Sequence, residues 1–210
     1  NRDSIKTVVI ESGVTTIGSD AFCGYKNMAS VTLPDSVTVI GKNAFNNCRS
    51  LTSINIPESV TSVSDFAFAC CSSLTSVTFV GSSQLTTIGD EAFYQCRSLT
   101  GITLPESVTL IGESAFYQCT ALTSVTFAGD SQLTTIGSYA FYRCKNMASV
   151  TIPKSVTNIG EYAFYECASL TSVTFAGDSQ LTSIGSSAFS DCTSLTNVTI
   201  PEGETTIGSS

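Results

Sequence analysis

Apolar positions along this chain return in a fixed order of short motifs. "LTSVTF" (122–127) turns Leu122, Val125 and Phe127 inward, and Val125 to Phe127 keeps the two-residue period of a strand. "VTLIG" (108–112) predicts a second short strand closed by Gly112. "ESAFYQCTAL" (113–122) then spaces Ala115, Cys119 and Leu122 at i, i+4 and i+7. That spacing predicts one face of a short helix, with Glu113 or Ser114 as its cap. Strand, second strand and short helix together make up one unit.

The unit repeats along the whole chain. An Ala-Phe pair falls at 21/22, 44/45, 67/68, 92/93, 115/116, 140/141, 163/164 and 188/189, so successive steps are 23, 23, 25, 23, 25, 23 and 25. Two connectors account for the two lengths. The short one carries proline, as in "LPESVTLI" (104–111), and the long one reads "FVGSSQLTTI" (79–88) or "FAGDSQLTTI" (127–136). From Pro57 onward they alternate, which sets Pro57, Pro105, Pro153 and Pro201 at intervals of 48. No such unit buries its own apolar edges, so each needs a neighbour on both sides. The prediction is an α/β repeat solenoid of about eight stacked coils, a single domain over 1–210 that spans roughly 40 Å at strand spacing. "IKTVVIESGVTTIGSDAF" is already in register at the start, and "TTIGSS" closes the sequence inside a ninth unit. Neither end reads as a polar capping repeat, so the expectation is a piece of a longer array, with end-to-end self-association as the alternative.

The pattern LxxIxIPxSVTxIGxxAFxxCxxL, read from Leu51 to Leu74 with small variations, resembles the BspA-like class of leucine-rich repeats, and the likeness covers nearly the whole chain. That resemblance implies a curved, right-handed leucine-rich-repeat solenoid in a secreted or cell-surface protein, with signal and anchor outside this chain. It also implies adhesion to host matrix proteins or to other cells. It names no binding residues. The chain departs from the pattern at Tyr25, where the first ladder cysteine is expected, at Ser64, where a glycine is expected, and in the longer connector.

Charge and composition narrow the chemistry. The net charge of −8 and the scattered nine Lys and Arg residues exclude nucleic acid and anionic membrane as direct electrostatic partners. No stretch approaches 18 apolar residues, which excludes direct membrane insertion. The chain has no His, so Ser-His-Asp and Cys-His nucleophile systems are impossible. The carboxylates are dispersed, with no recurrent pair suited to acid–base work. The expectation is a non-enzymatic binding module that takes a protein or glycan ligand, with no cofactor and no metal. A structural spacer without a ligand of its own is the alternative.

Three repeated side-chain types compete as its functional surface. Cys48, Cys71, Cys96, Cys119, Cys144, Cys167 and Cys192 each follow the repeat Phe by three residues, while Cys23 and Cys70 fall off that register. They share a face with Ala and Leu and read as small buried hydrophobes. Zinc-type local pairs are lacking. Neighbouring coils bring the thiols to roughly 5 Å, so disulfide staples stay open. Tyrosine offers a candidate surface: Tyr94, Tyr117, Tyr142 and Tyr165 directly follow the repeat Phe in four consecutive coils, and Tyr139 and Tyr162 precede it by two. Such a row suits binding, and packing between coils is its other reading.

Hydroxyls form the third array. Ser124/Thr126, Ser149/Thr151 and Ser172/Thr174 flank the inward Val of the first strand and complete the candidate binding surface. In a second series, Thr15, Thr38, Thr61, Thr86, Thr109, Thr134, Thr157, Thr182 and Thr205 each follow the apolar residue that opens the second segment. Ice binding by such a Thr ladder is a remote alternative, and the ordinary reading is solvent-facing threonines that favour strand. Asp130 and Asp178 share the long connector, where they could help hold a cation, and turn formation is the simpler reading. Asn197–Thr199 matches the short glycosylation triplet.

Overall fold

The computed structural model describes residues 2–202 and 206–209, so Thr205 of the threonine series lies outside the described residues. The chain winds through about nine turns of a parallel solenoid. One side carries the longer strands Thr7–Val9, Ser30–Thr32, Ser53–Ile56, Ser76–Phe79, Gly101–Leu104, Ser124–Phe127, Ser149–Ile152 and Ser172–Phe175. Among the described residues a second side carries nine two-residue strands, from Thr16–Ile17 to Thr206–Ile207, hydrogen-bonded in one parallel sheet in strict chain order. Ile111 pairs with Ile88 below and Ile136 above, so equivalent residues stack directly.

The third side departs from the expected helix. Among the described residues the only helical element is the 3-10 turn Arg2–Ser4, and 113–122 runs as a chain of turns. The reason is where the amides go. Ser114, Phe116 and Gln118 donate outward to the carbonyls of Ser138, Ala140 and Tyr142 in the next coil, at 2.7–2.8 Å. The alternate residues Tyr117 and Cys119 donate back to the carbonyls three residues earlier, Ser114 and Phe116. A chain that spends every second amide on its neighbour has none left for an i→i−4 ladder. The switch requires left-handed backbone two residues before and after the repeat Phe, as at Ser114 (φ 54°) and Gln118 (φ 55°). Neither residue is glycine, so the local cost is offset by the bonds to the next coil.

A single core cluster runs the length of the solenoid. Its axis is a stack of phenylalanine rings, Phe22, Phe45, Phe68, Phe93, Phe116, Phe141, Phe164 and Phe189, with centroids 5.2–5.4 Å apart. Ala, Cys and Leu of the same turns lie beside it, buried as the sequence predicts. The glycine after each short strand lets coils approach. A Cβ on Gly137 would stand 2.6 Å from the Gly112 carbonyl carbon. Where Ser64 replaces this glycine, its amide reaches the Ile40 carbonyl at 3.0 Å, against 2.7–2.8 Å at the glycines. The serine of each proline connector is a clamp between coils: the Ser107 hydroxyl reaches the carbonyls of both Ser83 (2.9 Å) and Leu85 (2.7 Å). Ser59 and Ser155 repeat the arrangement.

Candidate functional site

The cysteine ladder points inward and is chemically quiet as far as Cys167, while the hydrogen bond from Cys167 lowers Cys192 in the last coil. All nine thiols are free, and the seven in register are buried. Each of the seven places Sγ 3.1–3.2 Å from the carbonyl oxygen of the repeat Phe one coil earlier, as Cys119 does with Phe93. Burial pushes the Cys48 and Cys119 thiols up to about 12, and raises Cys71, Cys96 and Cys144 well above the ordinary thiol value. Thiols held protonated in apolar surroundings are poor nucleophiles and poor metal ligands.

The tyrosines are brought together as predicted, but largely to one another. Tyr94, Tyr117, Tyr142 and Tyr165 stack with centroids 5.0, 4.7 and 5.0 Å apart. Tyr139 and Tyr162 form a parallel pair at 5.1 Å and lean on Tyr142 and Tyr165. All six are half-buried. Their edges are occupied too. The Gln95 amide donates to the Tyr94 hydroxyl, Arg143 lies over the Tyr142 ring, and Arg143 makes a two-pronged ion pair with Glu166 at 2.7 and 2.9 Å. Tyr165 is pushed up to about 12, chiefly by its hydrogen bond to Asp191, while burial raises Tyr117, Tyr139 and Tyr142. The ladder is a zipped seam whose ring faces are used by the fold.

The hydroxyls divide into two populations that the sequence does not separate. In the threonine series on the second segment, each hydroxyl from Thr38 to Thr182 bonds the main-chain carbonyl of its equivalent one coil earlier, as Thr134 does to Thr109 at 3.0 Å. These groups are exposed or half-exposed, but their protons are spent inside the molecule. Ser124, Thr126, Ser149, Thr151, Ser172 and Thr174 behave differently. All six are exposed on the longer-strand side, and none of their hydroxyls bonds another described residue.

Among the grooves on that side of the described residues, two are copies of each other. One, of about 430 Å³, is lined by Thr126, Phe127, Ser131, Thr151 and Pro153 among others. The second, of about 410 Å³, is lined by Thr78, Phe79, Ser83, Thr103 and Pro105, the equivalent positions two coils earlier. The alternation of connectors makes them. In proline coils the fourth strand residue is Ile56, Leu104 or Ile152 and fully buried, whereas before the long connector it is a half-exposed Phe79, Phe127 or Phe175. The turn of that connector needs a left-handed glycine at Gly81 (φ 59°) and Gly129 (φ 49°), over the carboxylates of Glu58 and Glu106. Ser83 and Ser131 behind the turn are buried, and each accepts a bond from the amide two residues on. Sequence reasoning missed both. The signal was present in the recurrence of Phe, Gly and Ser at fixed places in "FVGSSQ" and "FAGDSQ". Asp130 sits on one groove rim 3.5 Å from Lys154, while Asp178 is exposed. Among the described residues no group of three or more Cys, Asp or Glu is placed to hold a metal ion, and no helix is long and apolar enough to cross a membrane.

The family model for the BspA type leucine rich repeat region matches residues 1–123 and 111–210, with six copies. The chain belongs to that family. Among solved structures it is similar to a leucine-rich repeat protein from Bacteroides ovatus, at 30% identity and a TM-score of 0.79 over 97% of this chain and 59% of that one. It is also similar to the leucine rich repeat protein of T. pallidum, at 29% identity and a TM-score of 0.63 over 91% of this chain and 78% of that one. The fold is shared with the pneumococcal vaccine antigen PcpA, at 22% identity and a TM-score of 0.65 over 93% of this chain and 51% of that one. The chain thus spans 59% of the length of the Bacteroides ovatus protein. No curated protein matches it.

Proposed function

We propose that this chain is a non-catalytic binding module of a cell-surface or secreted protein, and that it attaches to a protein or glycan ligand through its longer-strand side. The observation that carries the reading is the contrast between hydroxyls. The threonine series on the second side has its protons committed to carbonyls, while Ser124, Thr126, Ser149, Thr151, Ser172 and Thr174 keep theirs for a partner. An exposed, regular field of uncommitted donors and acceptors suits recognition. The tyrosine seam is the less suited surface, because its faces are stacked on one another. Membership of the BspA type repeat family supports a place at the cell surface.

The test is adhesion of beads coated with the chain to matrix proteins and to cell-surface glycans. Thr126→Arg with Thr151→Arg should abolish adhesion while the melting temperature holds. Replacement of Tyr117, Tyr142 and Tyr165 by Ser should weaken the fold and leave adhesion, per folded molecule, in place. Adhesion that survives the arginine pair would overturn the reading.

A further inference from the structure

The two grooves are copies separated by two coils, and two coils advance about 10 Å at strand spacing, close to the length of an extended disaccharide. We infer that the paired grooves bind a linear, uncharged polysaccharide whose faces recur every second sugar, one disaccharide to each groove. The inference rests on the longer-strand side being the contact surface. Four features select this occupant.

The floor is hydroxyl, with Thr126 and Thr151 exposed and uncommitted, and hydroxyls both donate and accept, as sugars do. A half-exposed ring, Phe127 or Phe79, lines each groove and offers an apolar face for the C–H side of a sugar ring. Ser131 and Ser83 are 7% and 9% exposed, and each hydroxyl accepts the amide of Leu133 or Leu85 while donating its own proton to no described residue. The same free hydroxyl proton in both copies of a groove is open to an acceptor held in that groove. Finally, the net charge of −8 opposes an anionic polymer, and the rim pair Asp130–Lys154 becomes Ser82 and Glu106 in the other copy, so charge is not the common feature. A peptide strand is disfavoured because Ser124–Phe127 lies inside its sheet, paired along its length with Gly101–Leu104 and at Ser124 with Ser149, and is not an edge strand.

The experiment is calorimetric titration of the whole chain with β-1,4-linked neutral oligosaccharides, from disaccharide to hexasaccharide. Affinity should rise by about a hundredfold between disaccharide and tetrasaccharide, because the second groove is then filled at high effective concentration. Thr151→Val, which removes one groove's hydroxyl with little change of shape, should return the tetrasaccharide to near disaccharide affinity. Ser131→Ala should do the same, and circular dichroism with a melting curve checks that each variant is folded. Binding without a length step, or a length step untouched by both variants, overturns the inference. Adhesion to a matrix protein that the arginine pair abolishes, with no oligosaccharide bound, overturns the glycan alone and leaves the surface assignment standing. Adhesion retained by the arginine pair removes both.

Discussion

The thiol of Cys119 lies 3.2 Å from the carbonyl oxygen of Phe93 in the preceding coil, and six more cysteines repeat the relation. This bond gives a reason for cysteine over alanine at the position. A small hydrophobe fills the space, and its S–H meets a carbonyl within the core. Labelling with a thiol reagent should therefore be slow in the native protein for the seven in-register cysteines and fast only for the half-exposed Cys23 and Cys70. All nine should react in denaturant. Rapid native labelling of more than two thiols would contradict the packing described.

The raised thiols also set an alkaline limit. Cys119 is pushed up to about 12 in the fold, whereas an unfolded thiol ionises near its ordinary value of about 8.5. Above that value the unfolded chain has lost the proton that the folded chain keeps, so stability is full below it and falls as pH rises towards the folded value. Each fully buried thiol contributes a slope of about 1.4 kcal/mol per pH unit. Denaturant midpoints measured from neutral to strongly alkaline pH should fall accordingly. Cys119→Ala should be less stable at neutral pH and show a shallower alkaline decline.

Ser107 joins two coils through one hydroxyl, to the carbonyls of Ser83 and Leu85. Ser107→Ala leaves both short of a donor at a half-buried position and should cost about 1–3 kcal/mol. Chemical denaturation checks the value, and the same substitution at Ser155 should behave alike.

Gly137 and Ser64 occupy equivalent positions and make opposite predictions. A methyl at Gly137 meets the Gly112 backbone at 2.6 Å, which no flexible side chain relieves. Gly137→Ala should destabilise by about 1–3 kcal/mol through forced separation of two coils. Ser64→Gly removes the side chain where the intercoil bond is longest, 3.0 Å. It should leave stability unchanged or raise it in the same denaturation assay.

Much of this architecture was legible from spacing. Coil number, strand rows, the buried Phe-Cys-Leu face and the tyrosine stack all follow from residues placed one coil apart. The third side was not, because Ala115, Cys119 and Leu122 satisfy a helical period while the backbone obeys a different rule. Asp20, Gly24, Asn43 and Asn47 in the first two coils, types that tolerate left-handed backbone, carried the correct signal. Phe66, Tyr139 and Tyr162 at the same positions masked it in later coils. The division of hydroxyls was likewise hidden: Thr134 and Thr126 read as the same strand residue, and only the position of a neighbouring carbonyl separates them.

The tyrosine seam yields a further expectation. Tyr142 stacks on Tyr117 at 4.7 Å and on Tyr165 at 5.0 Å, so replacing all three by Ser removes apolar contact along three coils. A loss of several kcal/mol is expected, read as a lower melting temperature. A fold of unchanged stability would show that the rings contribute to something other than cohesion.

The alternation of short and long connectors gives the molecule a second, coarser period. A groove of the paired kind needs one coil of each type, so copies gained or lost one at a time would break the series, while a gain or loss of a short–long pair would add or delete a whole groove. Arrays built this way lengthen in quanta of about 10 Å. Such a surface measures what it holds in whole strides, as a ruler does.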